Sequence, residues 1–170
     1  TKKLLNSFFP NNKIDVLTKK ITRENINSII DENIKFDPID FFSLDVDGND
    51  YWILKNMELH KIKCICLEFN PWIGKNLKRT IPYNENFQYA DDGFFGASLL
   101  AYHDLLKERK FDLVAVDSSG TNAFFVAHEF SSFFEILDPI KSFKHSPYNY
   151  TEDKKRKIMF QVKEHNFIDV

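Results

Sequence analysis

The residues best suited to chemistry lie in two short stretches. Asp45, Asp47, Asn49 and Asp50 follow the apolar run Phe41-Phe42-Ser43-Leu44, while Glu68 and Asn70 follow the apolar run Cys64-Ile65-Cys66-Leu67. Carboxylate and amide oxygens are hard donors, and gathered over one crevice they suit Mg²⁺ or another hard divalent cation. Without a cation or a proton between them, the carboxylates repel one another. A blander reading makes Asp47-Gly48-Asn49-Asp50 a turn and cap, with Gly48 at positive φ and Asp50 capping the next helix. That reading suits Asp45 less well, because an acid ending an apolar strand needs a partner once buried.

Such a site requires neighbouring strands that end at the same edge of a sheet, where ligands of open α/β sheets bind. The pattern supplies them. Ile39 to Val46 reads as one buried strand and Lys63 to Phe69 as another, with a short helix starting at Tyr51 between them. Ahead of these, Lys2 to Phe9 reads as the end of a helix and Ile14-Asp15-Val16-Leu17-Thr18 as a strand. Thr22 is the expected N-cap of a helix carrying Ile26, Ile29, Ile30 and Ile34 on one stripe.

After Asn70 no periodicity is visible until Gly96. Trp72, Tyr83, Phe87, Tyr89, Phe94 and Phe95 make this stretch (71–96) an ordered lid or binding loop rather than a solvated linker. A helix from Ala97 to Lys110 follows. Phe111 to Asp117, a Ser118-Ser119-Gly120 turn and Asn122 to His128 form an expected antiparallel hairpin. A helical tail covers 151–165, and its basic run Lys154-Lys155-Arg156-Lys157 reads as a solvated face. The expectation is one α/β domain over residues 1–170, its sheet mostly parallel with a C-terminal antiparallel strand pair.

Composition narrows the function. The chain has 170 residues, 43% of them hydrophobic, which is enough for one sizeable core. Its 23 basic and 25 acidic residues nearly cancel, so nothing global points to nucleic acid. No apolar run reaches the ~18–20 residues of a membrane span, and the first residues lack a signal peptide's apolar stretch. A cytoplasmic protein without a membrane partner is expected. Cys64 and Cys66 read as reduced core residues on one face of a strand. His60, His103, His128 and His145 are candidate general bases, none selected by its sequence neighbours.

Several chemistries use Asp-x-Asp at a strand end. Asp45-Val46-Asp47-Gly48 resembles the opening of a haloacid-dehalogenase-type Mg²⁺-dependent phosphatase, in which the first Asp is the nucleophile and the second the acid/base. Asp91-Asp92 would have to provide that family's later acidic pair, yet it follows a poor strand. Metal-dependent glycosyltransferases use the same triplet to hold a nucleotide-sugar cation.

A longer ordered series covers most of the chain. It runs from Ile21-Thr22-Arg23-Glu24-Asn25-Ile26-Asn27 through Phe42-Ser43-Leu44-Asp45-Val46-Asp47-Gly48-Asn49-Asp50-Tyr51-Trp52 to Leu67-Glu68-Phe69-Asn70-Pro71. It continues in Gly93-Phe94-Phe95-Gly96-Ala97-Ser98 and ends in Asp117-Ser118-Ser119-Gly120-Thr121-Asn122-Ala123-Phe124-Phe125-Val126. This series resembles the C-terminal part of FkbM-like, S-adenosylmethionine-dependent methyltransferases.

The resemblance implies a partial Rossmann-like sheet ending in an antiparallel strand pair. It also implies methyl transfer to a hydroxyl of a small-molecule or sugar substrate. In related metal-dependent O-methyltransferases, acids and amides at neighbouring strand ends hold Mg²⁺. By strand position, Asp45, Asp47, Glu68 and Asn70 would do so here, with Asp45, Asp47 and Glu68 as the catalytic set and Asn70, Trp72 and Asn49 facing substrate. The family's glycine-rich turn after the first strand has no counterpart ahead of Gly48. Either the S-adenosylmethionine half of the site lies upstream, or the chain is a non-catalytic relict that binds a partner or glycan through its aromatic loop.

Overall fold

The computed structural model describes residue 10 and residues 14–34, 38–144 and 150–170. The helix end expected at Lys2 to Phe9, and His145, lie outside these residues. Ile14 to Thr18 forms no strand: the segment is irregular, with Val16 and Leu17 exposed, and among the described residues no strand pairs with it.

Helix α1 (Ile26–Asn33) buries Ile26 and Ile29. Its N-cap is Asn25 rather than Thr22, and the Asn25 amide turns away from the helix: Oδ1 accepts from Thr22 N at 2.8 Å and Nδ2 donates to Lys20 O at 2.9 Å. Strand β1 (Ile39–Leu44) leads into α2 (Asp50–Asn56), and β2 (Ile62–Glu68) follows. A 3-10 turn at Pro71–Ile73 and the two-residue strand β3 (Arg79–Thr80) interrupt the aromatic loop.

Helix α3 (Leu99–Glu108) is capped by Ser98, whose Oγ accepts from Ala101 N at 3.2 Å, and it stops where Lys110 takes φ 62°. Strands β4 (Phe111–Val116) and β5 (Asn122–Ala127) form the expected hairpin. A 3-10 turn at His128–Phe133 and the short helix α4 (Pro139–Ser142) come next. Helix α5 (Glu152–Glu164) and strand β6 (Ile168–Asp169) complete the described chain.

The main sheet has the order β1-β2-β5-β4. It is mixed rather than mostly parallel: β1 and β2 pair in parallel, but β5 returns from its tight turn into the gap between β4 and β2, making both of its ladders antiparallel. β1 is an edge strand and not the buried one expected. Only Leu44 is buried in it, and Phe41 is 54% exposed. A separate two-stranded sheet pairs β3 with β6.

The core is one cluster in which Ile53, Leu54, Leu99, Tyr102 and Leu106 from the helices join Ile65, Leu67, Leu113 and Phe125 from the strands. Both thiols are free, Cys66 buried and Cys64 half-buried, and burial pushes both upward in pKa. Among the described residues no helix is long and apolar enough to cross a membrane.

Candidate functional site

Two parallel neighbours must release their chains at the same edge, and β1 and β2 do so in register, with Leu44 opposite Leu67. Asp45 therefore emerges beside Glu68. Asp47 joins them because its backbone turns through φ 56°, a left-handed conformation that Asp tolerates better than most residues. Oxygens of Asp45, Asp47 and Glu68 all lie within 4.8 Å of one another, the first two residues exposed and Glu68 half-buried. Three acids at such distances suit a hard divalent cation.

The loop owes its shape to Asp50. Its buried carboxylate reaches back to accept from Val46 N and Gly48 N, both at 2.9 Å. Burial raises its pKa, and those two bonds offset the shift only in part. Asp50 is thus a strut within the loop and not a ligand. Gly48 is needed for space rather than for positive φ: a Cβ there would stand 2.3 Å from Cδ1 of Phe87. The left-handed residue is Asp47.

Neither amide predicted to face a ligand joins the acids. Asn49 forms a reciprocal pair with Asn84, donating to its carbonyl at 2.8 Å and accepting from its N–H at 3.2 Å. Asn70 is wholly buried. Its Nδ2 donates to the carbonyls of Gly93 and Phe95, each at 2.8 Å, and its Oδ1 accepts from Trp72 N at 2.9 Å. Both amides tether the aromatic loop to the strand ends. Trp52 adds a third tether through Nε1 to Ile81 O at 2.8 Å.

Trp72 does reach the site. It helps line a cleft of about 130 Å³ that also takes in Asp47, Glu68, Tyr89, Phe95 and Tyr150. Trp72 stacks on Tyr150 with centroids 6.3 Å apart, and Tyr89 meets Phe95 edge-on at 5.2 Å. Burial, with Asp91 nearby, pushes the Tyr89 phenol up to about 12. Tyr150 is the wall that sequence reasoning missed; its one local signal is an aromatic ring directly before the Thr151 N-cap of α5.

The hairpin turn closes the edge of the site. Asp117 accepts from the backbone N–H groups of Gly120 and Thr121 at 2.8 and 3.0 Å and from Ser119 Oγ at 2.6 Å, and these bonds outweigh its partial burial to hold it at about 2. This fourth acid is spent on structure. So is the Asp91-Asp92 pair: Asp91 is salt-bridged to Lys154 at 2.7 Å, and Asp92 lies 3.0 Å from His165 Nε2 while accepting from Phe94 N at 3.0 Å. Lys154 therefore belongs to a contact between α5 and the loop instead of a purely solvated face.

His60, His103 and His128 lie outside the cleft lining. Comparison with protein-family models, curated proteins and solved structures gives no match to this chain.

Proposed function

We propose that the chain is a methyltransferase-like domain in which Asp45, Asp47 and Glu68 hold a hard divalent cation before a hydroxyl-bearing small molecule or sugar. The observation that carries the proposal is the meeting of three carboxylates from adjacent parallel strand ends beside an aromatic-walled cleft. The sequence resemblance supports it separately, because it implies a final antiparallel strand pair, and β4 and β5 form one. A Rossmann-like sheet is the finer form of the same proposal; β1, β2 and β4 run in one direction and β5 alone is reversed.

The donor set fits Mg²⁺ or Mn²⁺, and such a cation, when bound, would lower the pKa of a substrate hydroxyl. The chain's own residues orient the ligand. Asp50 fixes the loop that turns Asp47 toward Glu68, Asn70 anchors the wall that presents Trp72, and the aromatic faces offer a ring substrate stacking surface. S-adenosylmethionine is different. No glycine-rich turn follows a strand among the described residues, so these residues do not by themselves fit the donor, and no part of methyl delivery is assigned to them.

Calorimetry with MgCl₂, MnCl₂ and S-adenosylmethionine on this chain, and on any longer form, tests the proposal. Cation binding that weakens in Asp45→Asn and Glu68→Gln supports it. Absence of donor binding by every form would sink the methyltransferase part.

The second reading is a non-catalytic glycan-binding domain, favoured by four aromatic side chains, Trp72, Tyr89, Phe95 and Tyr150, around one small cleft. It requires glycan binding that survives Asp45→Asn and Glu68→Gln but is lost in Trp72→Ala. The phosphatase alternative gains nothing from Asp91 and Asp92, which are committed to α5 and its following segment.

A further inference from the structure

The cleft beside the carboxylates has a one-sided chemistry. Its described lining holds two acids, Asp47 and Glu68, and four aromatic side chains, Trp72, Tyr89, Phe95 and Tyr150, but no cationic side chain. Asp45 adds a third carboxylate within 4.8 Å of the other two. Two lysines bond neighbouring residues without entering the lining. Lys144 turns its ammonium to the carbonyls of Val116 and Asp117, at 3.3 and 3.0 Å, and Lys154 is salt-bridged to Asp91 at 2.7 Å.

The rings suit a positive group as well as the acids do. The face of an aromatic ring is the negative part of its quadrupole, so a cation is drawn to it, most strongly at Trp and where water is excluded. One wall already holds a cation in this way: Lys154 Nζ stands 4.1 Å from the centre of the Tyr150 ring. Burial, and after it the charge of Asp91, push the Tyr89 phenol up to about 12, so that ring stays neutral in a negative field. At about 130 Å³ the cleft is smaller than the roughly 300–1,000 Å³ of sites that enclose a whole drug-sized ligand, and it suits a single headgroup. The charges leave room for one. Three carboxylates exceed a divalent cation by one negative charge, which a monovalent ammonium would neutralise.

We propose that the ligand of this cleft is an amino alcohol whose ammonium is methylated or quaternary. The ammonium sits among Trp72, Tyr89, Phe95 and Tyr150, and the hydroxyl is directed to Asp45, Asp47 and Glu68. A methylated ammonium gives up few hydrogen bonds to water when aromatic faces cover it, whereas a primary one loses donors that the rings cannot satisfy. The proposal rests on the reading of the cleft as a substrate site, and it names the class of hydroxyl compound taken there.

The test is calorimetry with choline chloride and with dimethylbutanol, its uncharged carbon isostere, at constant ionic strength with and without MgCl₂. The variants are Asp47→Asn and Tyr150→Leu, the latter removing a ring from a half-buried position ahead of α5. Choline is expected to bind about tenfold more tightly than dimethylbutanol, and about fivefold more weakly to each variant than to the wild type. Equal binding of the two alcohols overturns the ammonium, and so does a choline affinity unchanged in both variants. Mg²⁺ binding without choline binding overturns the proposal and leaves the divalent cation standing. Choline binding with the expected discrimination, but without Mg²⁺ binding, supports the ammonium site and removes the divalent cation instead.

Discussion

Replacing Asn70 by Ala tests the central structural claim, that this amide holds the aromatic wall and does not serve a ligand. The substitution deletes three hydrogen bonds. It leaves Gly93 O buried without that partner, and Phe95 O and Trp72 N half-buried without it. A buried unsatisfied group costs about 1–3 kcal/mol, and partly buried groups that water can reach cost less, so the sum is about 2–5 kcal/mol. For a domain of this size that corresponds to about 5–15 °C in Tm. Urea unfolding followed by circular dichroism gives the magnitude. Fluorescence of Trp72, one of two tryptophans in the chain, reports whether the wall has loosened.

N70D adds a signature that a merely smaller side chain cannot. Its carboxylate would face two carbonyls, which raises its folded-state pKa above the unfolded value of about 3.9. A raised acid pKa gives stability that is fully present below the unfolded value and lost as pH rises through the folded one. N70D should therefore approach the wild type on acidification and fall behind it towards neutrality. A loss under about 1 kcal/mol for Asn70→Ala, together with a pH-independent deficit for N70D, would refute the account.

Three further outcomes are expected. Gly48→Ala should destabilise by about 1–3 kcal/mol through its clash with the Phe87 ring, and Phe87→Ala in the same chain should recover part of that loss in thermal melts. Asp117 is held at about 2, so its turn contributes stability above about pH 4 that is lost as pH falls towards 2. After discounting for solvent, Asp117→Asn should cost about 1–2 kcal/mol near neutrality, and the difference should narrow in acid. Finally, Asp47→Asn should raise Tm slightly in metal-free buffer by relieving like-charge repulsion, yet remove the rise in Tm that MgCl₂ gives the wild type. A Tm unaffected by MgCl₂ in both proteins would count against a cation at these carboxylates.

The parts of the fold legible in the sequence are those with local causes. Ile62–Glu68, Leu99–Glu108 and the hairpin of Phe111–Val116 and Asn122–Ala127 appear close to their expected bounds, because apolar runs, Ser98 and the Ser118-Ser119-Gly120 turn mark them directly. The meeting of Asp45, Asp47 and Glu68 was legible too, since adjacent strands running the same way must end together. Features set by distant neighbours were hidden. Exposure of Phe41 depends on which strand lies at the edge, and β3 and β6 are too short to show a period. Asn70 misled for a different reason: the same amide that could bind a ligand can bond the chain's own carbonyls, and only the path of the loop decides between them. Gly48 drew attention as the flexible residue, whereas its neighbour Asp47 took the unusual angle.

The aromatic cleft also has a history during folding. Its acids come from 45–68 and its walls from 71–95, but Tyr150 comes from far along the chain, and elsewhere the pairing of Arg79 with Asp169 joins residues 90 apart. Contacts between such distant residues carry the loop-closure entropy of the intervening chain and tend to form after local ones. During synthesis, the strand ends that bear the carboxylates are therefore complete well before Tyr150 emerges. The cleft acquires its last wall only after Tyr150 has been made and has folded back beside Trp72.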